Sequence, residues 1–260
     1  MNNRDQTETM ARDFPSEGLA LVTGGSGGIG AEVARKLVES GARVALTYHS
    51  RPPEDLLGEL GPAAAAHPLD VRDPEACAAL VGDLVDRGGG IHTLVHSAGP
   101  HVPMVHLSKV RPEQFAAQVE ADLLGFFNIA HACLPALREA RGSIVVVTSA
   151  ATRRYPVRDG LSATPKGGVE QLAFALAAEE GRFGVRVNCV GPGMLVDGMA
   201  ERLMSSGDLD ERALAVTRAN IPLRRFGTAR DIAEAAAFLA SSRANFISGQ
   251  KLDVDGGYGV

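Results

Sequence analysis

A glycine-rich turn between a buried strand and an amphipathic helix constrains this 260-residue chain more than any other feature. The apolar run Leu19–Val22 is typical of a strand buried on both faces, and the segment Thr23–Gly30 follows it directly. From Ala31 to Ser40, apolar residues recur at helical spacing until Gly41 ends the pattern. Glycines at such a junction allow a sharp turn and let the backbone approach a diphosphate at the helix N-terminus. The junction therefore predicts a nucleotide-binding strand-turn-helix unit.

Strand-like and helical segments continue to alternate along the chain. Further apolar runs predict strands at 43–47, 65–69, 93–95, 143–148, 185–190 and 251–254. Helical spacing recurs at about 74–87, 112–138, 166–182 and 229–240. The alternation predicts an α/β fold: a single Rossmann-type doubly wound parallel sheet with helices on both faces.

Two segments depart from this alternation. Residues 1–16 are polar and unpatterned, so we expect a flexible N-terminal tail before a domain that spans 17–260. Residues 194–222 contain two short helical patterns with polar faces. We expect this segment to form a small helical lid over the carboxyl ends of the strands.

The composition narrows the function classes. A net charge of −5 disfavours a nucleic-acid partner. The three cysteines lie far apart without a Cys-x-x-Cys pair, which disfavours a metal site or a disulfide framework and is typical of a reducing cytoplasm. The chain has no run of about 18 apolar residues and no signal-peptide core. We therefore expect a cytoplasmic protein with no metal and no membrane or nucleic-acid partner.

Several motifs make residues 17–260 similar to the short-chain dehydrogenase/reductase family. They are Thr23–Gly30, Leu69–Val71, His96–Gly99, Arg186–Asn188, Gly191–Gly193, Ser248–Gln250 and Val254–Gly257. The resemblance implies an oxidoreductase that takes a small-molecule substrate and a nicotinamide cofactor and forms a homo-oligomer, a dimer or a tetramer. It also implies cofactor contacts from Gly24, Ser26, Gly27, Gly28, Ile29, Gly30, Asp70, Val71, Ser97, Ala98, Gly99, Lys166, Pro192 and Gly193.

The end of the second predicted strand bears on which nicotinamide cofactor is used. An acidic residue there would bind the ribose 2′-hydroxyl and repel a 2′-phosphate. This chain instead has His49, Ser50 and Arg51, with no acid before Glu54. Ser50 can donate a hydrogen bond, and Arg51 offers a charged fork to phosphate unless it is only a solvated loop residue. We therefore expect NADPH/NADP, bound in part by these three residues.

The catalytic residues that the resemblance implies are only partly present. Ser149 and Lys166 stand where the family keeps its serine and lysine, and Asp122 replaces the family's asparagine. The tyrosine expected four residues before Lys166 is Ser162. In the family this tyrosine protonates the carbonyl oxygen as the hydride arrives. Ser149, Lys166, Asp122 and Ser162 are thus the candidate catalytic residues, and the usual proton donor is missing.

Pro165 indicates that the region around Ser162 has been rebuilt. Proline is tolerated in the first turn of a helix but not in its interior. We therefore expect the helix to start near Thr164, with Thr164 as its N-cap and Ser162 outside it. If Pro165 is an insertion, Leu161 takes the tyrosine's place instead. On this interpretation, Ser162→Tyr alone gives no large rate gain.

Other residues near the expected cleft could take part. We expect His101, Tyr155 and Met194 to contact the substrate. His101 titrates in a useful range and Tyr155 carries a phenol, so either could donate a proton, although substrate packing or exposure on a loop would also explain them. Asp122 could anchor a water molecule, pair with Lys166 or make a buried structural hydrogen bond.

Three functions fit these residues. The leading hypothesis is an NADPH-dependent ketoreductase of an angucyclinone-like polyketide, because a tyrosine-less site in such a chain resembles atypical ketoreductases of actinomycete antibiotic biosynthesis. A phenolic hydroxyl beside the ketone would polarise it through an internal hydrogen bond, which makes catalysis substrate-assisted. The first alternative is a 2,4-dienoyl or enoyl thioester reductase, since peroxisomal members of that branch also lack the tyrosine and have Asp at the position of Asp122. The second is a non-catalytic NADP(H)-binding sensor protein, against which the retained Ser149 and Lys166 argue.

Overall fold

A parallel sheet of seven strands forms the centre of the computed structural model, which describes residues 12–100, 102–196 and 211–260. The strand order is β3-β2-β1-β4-β5-β6-β7. The strands are β1 (Leu19–Thr23), β2 (Val44–Tyr48), β3 (Ala64–Pro68), β4 (Ile91–His96), β5 (Ser143–Val147), β6 (Arg186–Pro192) and β7 (Lys251–Val254). Every predicted strand is present, which confirms the Rossmann-type sheet.

Helices connect these strands. Those within the described residues are α1 (Gly28–Glu39), α2 (Glu54–Leu60), α3 (Pro74–Gly88), α4 (Pro112–Val119), α5 (Gly125–Ala140), α6 (Gly160–Glu180), α7 (Glu211–Ala219) and α8 (Ala229–Ala240). The helix α2 was not predicted, because seven residues are too few to show a helical stripe. The pattern at 112–138 is two helices joined by a π-helical turn at Glu120–Leu124.

Two apolar cores lie on opposite faces of the sheet, because successive strand side chains point in opposite directions. Leu21 and Leu94 pack with residues of α3, α5 and α6 on one face. Val22 and Val95 pack with residues of α1 and α8 on the other. Helices therefore cover both faces, as predicted.

The strand order reverses at β1, which lies between β2 and β4. The last residue of β1, Thr23, is in register with His96 at the end of β4. In doubly wound sheets, ligands bind at the carboxyl ends of the strands beside such a reversal. The topology therefore places the candidate site next to the glycine turn.

The N-terminal segment is packed from residue 13 onward. Phe14 is 3% exposed and belongs to the core on the α1 face. The Ser242 amide donates to the Asp13 carbonyl at 3.0 Å. The packed part of the chain thus begins before Ser16, and residues 1–11 of the expected tail lie outside the described residues.

Membrane-spanning helices and metal-binding clusters would indicate other function classes. None of the described helices is both long and apolar enough to cross a membrane. Nor do these residues contain a group of three or more His, Cys, Asp or Glu side chains able to hold a metal ion.

Candidate active site

The glycine turn opens into a cleft of about 450 Å³ at the carboxyl ends of the strands. Gly24 has a φ of +70°, and a Cβ atom there would lie 2.7 Å from the Ala98 Cα. A Cβ atom on Gly30 would lie 2.2 Å from the Gly24 carbonyl oxygen. Neither position leaves room for a side chain. Helix α1 begins at Gly28, three residues earlier than predicted, so the end of the turn forms the first turn of a helix whose N-terminus favours an anion.

An ion pair lies deep in the cleft. Lys166 Nζ from α6 lies 3.0 Å from Oδ1 of Asp122, which is 1% exposed. Gln118 Nε2 donates to the other oxygen, Oδ2, at 2.6 Å. Asp122 lies in the π-helical turn, an irregularity that is frequent at functional sites. Of the alternatives for Asp122, the structure shows two together: pairing with Lys166 and a buried hydrogen bond, from Gln118.

Ser149 lies beyond the end of β5 and opens a short 3₁₀ turn. Its Oγ accepts the Ala151 amide at 3.1 Å. Because the hydroxyl is the acceptor in that bond, its own proton is left to donate elsewhere. Both Ser149 and Lys166 line the cleft, so this proton and the ammonium group are available to one ligand.

A second charged cluster holds the backbone of Ser149 from behind. Lys251 Nζ donates to the Ser149 carbonyl at 2.8 Å. The same ammonium lies 2.9 Å from Glu170 Oε1 and 3.1 Å from Asp253 Oδ1, and it contacts Thr152 Oγ1. The Lys251, Glu170 and Asp253 side chains are only 10–13% exposed, so these interactions are weakly screened.

The helix that carries Lys166 begins earlier than predicted. Helix α6 starts at Gly160, so the expected start at Thr164 is wrong. Pro165 lies inside the helix as its sixth residue. A proline there removes only one main-chain hydrogen bond, from a carbonyl close to the helix start. The helix nevertheless continues through Pro165 to Glu180.

Ser162 consequently lies on the helix, not before it. It is one turn before Lys166, and both residues line the cleft. Leu161 is 4% exposed and does not line the cleft, so Ser162, and not Leu161, faces the cleft in this part of α6. Ser162 and Lys166 are therefore separated by one turn of a continuous helix.

Asp159 is a second carboxyl group in the cleft wall, and the sequence analysis missed it. It is the N-cap residue of α6, but its side chain accepts no capping hydrogen bond. Burial raises its pKa from 3.8 to about 6. An Asp before a helix ordinarily predicts a cap, so only the structure reveals that this carboxyl faces the cleft.

The wall opposite α6 comes from the expected lid segment and the C-terminus. Met194 and Tyr258 pack against a small apolar cluster of Leu214, Ile221 and Phe226. The residues of this wall that line the cleft are Met194, Leu195, Thr217, Asn220, Ile221 and Tyr258. Residues from the described parts of the expected lid segment thus line the cleft, and residues 197–210 of that segment lie outside the described residues.

Polar residues lie at the ends of β2 and β3. Arg72 forms a fork on Asp70, with N–O distances of 2.6–3.1 Å, and lowers the Asp70 pKa to about 2. His49 Nε2 lies 3.6 Å from the same carboxylate. Ser50 and Arg51 are exposed beside them. Arg72 was not among the predicted site residues, although it lies only two positions after Asp70 in the sequence.

Comparison with known proteins identifies the family. A family model described as enoyl-(acyl carrier protein) reductase matches residues 24–259. The chain is a member of the short-chain dehydrogenase/reductase family. It is therefore an oxidoreductase of this type, and members of the family bind nicotinamide cofactors.

Its relatives within the family have several activities. The chain is 33% identical to L-fucose dehydrogenase of Oryctolagus cuniculus, over 92% of this chain and 84% of that protein. It is 35% identical to the 3-oxoacyl-[acyl-carrier-protein] reductase FabG of Vibrio cholerae, covering 92% and 96% of the two chains. It is 33% identical to the peroxisomal 2,4-dienoyl-CoA reductase SPS19 of Saccharomyces cerevisiae, covering 92% and 83%.

A solved structure agrees with this assignment. A short-chain type dehydrogenase/reductase from Mycobacterium ulcerans superposes with a TM-score of 0.87 at 28% identity, over 94% of this chain and 90% of that one. The fold predicted from the sequence is thus the fold of the family.

The structure brings most of the predicted site residues of this family member together. Those that line the cleft are Gly24, Gly27, Gly28, Ile29, Gly30, Ser97, Gly99, Asp122, Ser149, Ser162, Lys166, Pro192, Gly193 and Met194. Those that do not are Ser26, His49, Ser50, Arg51, Asp70, Val71, Ala98 and Tyr155. Tyr155 is 66% exposed, and His101 lies outside the described residues.

The described residues fit a nicotinamide cofactor. The turn that a Cβ at Gly24 or Gly30 would fill suits a diphosphate at the start of α1. Gly99 leaves the Asp122–Lys166 pair open, because a Cβ there would lie 3.0 Å from Asp122 Oδ1 and 3.4 Å from Lys166 Nζ. The diphosphate, the ribose and the nicotinamide of the cofactor would thus all contact residues of this one cleft.

Proposed function

We propose that this protein is an NADPH-dependent ketoreductase that reduces a carbonyl of an angucyclinone-like polyketide in antibiotic biosynthesis, without a tyrosine general acid. The observation that carries the proposal is the cleft in which Ser149 and Lys166 remain while Ser162 occupies the tyrosine's place on α6. The absence of the tyrosine also resembles the pattern of the angucyclinone ketoreductase of simocyclinone biosynthesis. FabG, a ketoreductase relative, supports carbonyl chemistry in general.

In this proposal each cleft residue has a physical role. The bound NADPH supplies the hydride. The Ser149 hydroxyl donates a hydrogen bond to the substrate oxygen, and Lys166, fixed by Asp122, binds the nicotinamide ribose. Gly24 and Gly30 keep the diphosphate close to the start of α1. Ser162 adds a small polar surface and leaves space that a phenol would have filled.

Positioning can account for much of the rate. Holding the reacting atoms in contact can lower the activation barrier by about 7–11 kcal/mol. A positioned general acid raises the rate by a factor of about 10²–10⁴. An internal hydrogen bond from a phenolic hydroxyl of the substrate would polarise the ketone further. A hydroxylated aromatic polyketide is therefore the substrate class that best compensates for the missing tyrosine.

The proposal includes the cofactor preference. His49, Ser50 and Arg51 lie at the carboxyl end of β2, where a 2′-phosphate would be bound, and no acidic residue stands among them. Arg51→Asp is expected to weaken NADPH binding at least tenfold and to leave NADH binding unchanged or improved, as measured by fluorescence titration. Equal effects on the two cofactors would contradict this assignment.

The direct test is turnover. Purified protein is mixed with NADPH and a panel of hydroxylated quinonoid ketones, and the loss of absorbance at the nicotinamide band is followed together with product mass. Formation of the secondary alcohol supports the proposal. Absence of turnover across the panel, with NADPH binding intact, would overturn it.

A second candidate is a 2,4-dienoyl thioester reductase. It is favoured by the identity with the yeast dienoyl-CoA reductase and by Asp122, the residue type expected in that branch. Loss of dienoyl absorbance with NADPH would support this activity and exclude the ketone as the main substrate class. NADPH binding without turnover of either class would favour the third function, a non-catalytic NADP(H)-binding sensor.

We further propose a cytoplasmic homo-oligomer, a dimer or a tetramer. Leu124 and Phe127 are about half exposed near the start of α5, at 49% and 45%. Burial of such side chains between subunits would remove apolar surface from water. Light scattering of the purified protein tests the oligomeric state, and a monomer at micromolar concentration would contradict it.

A further inference from the structure

The cleft contains two carboxyl groups in opposite environments. Asp122 is paired with a lysine ammonium and accepts a hydrogen bond from Gln118, so both of its carboxylate oxygens have a partner in the protein. The Asp159 side chain has no hydrogen bond or ion pair within the described residues. Burial is the one cause of the raised pKa of this carboxyl group. Of the two carboxyl groups, only that of Asp159 has oxygens that no group of the described residues engages.

The position of Asp159 also suits a group that acts on the substrate. It precedes Gly160 at the start of α6, and the Ser162 amide donates to its main-chain carbonyl at 3.1 Å. Asp159 and Ser162 both line the cleft, three positions apart at the start of α6. The missing cap leaves both carboxyl oxygens available to a ligand.

We propose that Asp159 is a catalytic residue that donates the proton which the absent tyrosine would have supplied. This inference rests on the proposed carbonyl reduction at the same site. The proton added to the substrate oxygen then comes from the protein, and the substrate's internal hydrogen bond only polarises the ketone.

The carbonyl carbon gains a hydride from the reduced nicotinamide cofactor, and the C=O π bond becomes an O–H bond with the proton of the Asp159 carboxyl. The ketone is reduced to a secondary alcohol, the cofactor is oxidised, and Asp159 becomes a carboxylate. Asp159 is partly exposed, so solvent can return its proton before the next turnover.

The charges around Asp159 are few. The other titratable groups that line the cleft are Lys166 on the same helix, Asp122 from the π-helical turn and Tyr258 from the C-terminal segment, and Arg158 precedes Asp159 in the chain. Burial, and none of these groups, causes the raised pKa of about 6. An acid with a pKa near the working pH is well suited to proton donation.

The test is the pH dependence of kcat/KM in wild type and Asp159→Asn, with Asp86→Asn on the exposed side of α3 as the matched control. Wild type and the control are expected to lose about tenfold in kcat/KM per pH unit above about pH 6. Asp159→Asn is expected to lose about 10²-fold at pH 6 and to show a flat profile. Equal rates and profiles for wild type and Asp159→Asn would overturn the proposal and leave water or substrate as the source of the proton.

A second measurement does not require turnover. The carboxyl of Asp159 is titrated by ¹³C NMR in the complex with NADP, assigned through the Asp159→Asn spectrum. A transition near pH 6 is expected. A transition near the ordinary value of about 3.9 would overturn the role of Asp159 even if no substrate of the panel reacts, whereas absence of turnover alone counts against the proposed function.

Discussion

Lys166 Nζ lies 3.0 Å from Asp122 Oδ1, and the aspartate is almost fully buried. The pair links α6 to the π-helical turn and directs the ammonium into the cleft. Removal of one member of a buried pair leaves the other charge uncompensated, which costs about 3–5 kcal/mol. The Lys166 side chain is 15% exposed, so the lower end of this range applies.

The first prediction concerns Asp122. Asp122→Ala is expected to lower the free energy of unfolding by about 3 kcal/mol and to weaken NADPH binding, because Lys166 loses the partner that holds it. Denaturant unfolding and fluorescence titration measure the two effects. Asp86→Asn serves as the control, and a change below about 1 kcal/mol in Asp122→Ala would show that the ion pair contributes little.

The second prediction concerns Lys251, which holds the Ser149 carbonyl at 2.8 Å. Lys251→Met is expected to lower kcat about tenfold with little change in NADPH affinity, since the lysine acts by positioning Ser149. In a Ser149→Ala background the same substitution should then have almost no further effect on kcat, because residues that act as a unit are not additive. Independent effects that multiply in the double variant would contradict positioning and indicate a general loss of stability.

The third prediction concerns acid stability. Burial lowers the pKa of His96 to about 3 and that of His92 to about 4, below the unfolded value of about 6.5. The unfolded chain therefore binds more protons in this window, so the stability is complete above pH 6.5 and falls as the pH decreases toward 4. The slope is at most about 1.4 kcal/mol per pH unit for each histidine. Asp159 opposes it, because its raised pKa favours the folded state at low pH.

Substitution of a buried histidine tests whether these side chains cause the loss of stability at low pH. His96→Asn is expected to reduce the loss of unfolding free energy between pH 6.5 and 4.5, because the amide does not titrate. The exposed His106 provides the control, and His106→Asn should leave the pH dependence unchanged. An unchanged slope in His96→Asn would show that other groups cause the acid sensitivity.

Much of the fold follows from local patterns in the sequence. The inner strands β1, β2, β4, β5 and β6 are largely buried and read as short apolar runs, and the edge strands β3 and β7 are partly exposed. The alternation of strand and helix patterns located all seven strands and predicted a parallel sheet. The start of α6 was predicted wrongly, because a proline rule took Pro165 as a helix boundary. The structure instead accommodates Pro165 inside the helix, five residues after its first residue.

Part of the candidate site could also be predicted from local patterns in the sequence. Spacing from a strand or along a helix is local, so Ser149, Ser162 and Lys166 were placed correctly in the cleft. Asp159 and Lys251 were missed because their roles depend on contacts across the fold: a cleft wall shared with Asp122, and a carbonyl 102 positions away in sequence. No local pattern marks such contacts.

The fourth prediction uses two glycines as a matched pair. Gly30→Ala places a Cβ atom 2.2 Å from the Gly24 carbonyl oxygen, so the turn must deform, and NADPH affinity is expected to fall at least tenfold. Gly58 lies in α2 with nothing within 4 Å of a Cβ, and Gly58→Ala should stabilise the fold by about 0.5–1 kcal/mol without affecting binding. Unchanged NADPH affinity in Gly30→Ala would contradict the assignment of the turn to the diphosphate.

The last prediction concerns the empty tyrosine position. The sequence led us to expect that Ser162→Tyr would bring no large gain, because the helix start was rebuilt. The structure removes that reason, since Ser162 lies on α6 one turn before Lys166, where a phenol can reach the cleft. A small gain is still expected in wild type at pH 6, below about tenfold, but now because Asp159 already supplies the proton.

The same substitution in an Asp159→Asn background separates these reasons. If the acid is what the variant lacks, Ser162→Tyr should recover about 10²-fold in kcat, within the range for a general acid, and should shift activity toward higher pH. Ser162→Phe in the same background is the control, because it fills the same space without a hydroxyl proton. Equal rates for Tyr and Phe would show that position 162 cannot deliver a proton to the substrate, even though its helical register is intact.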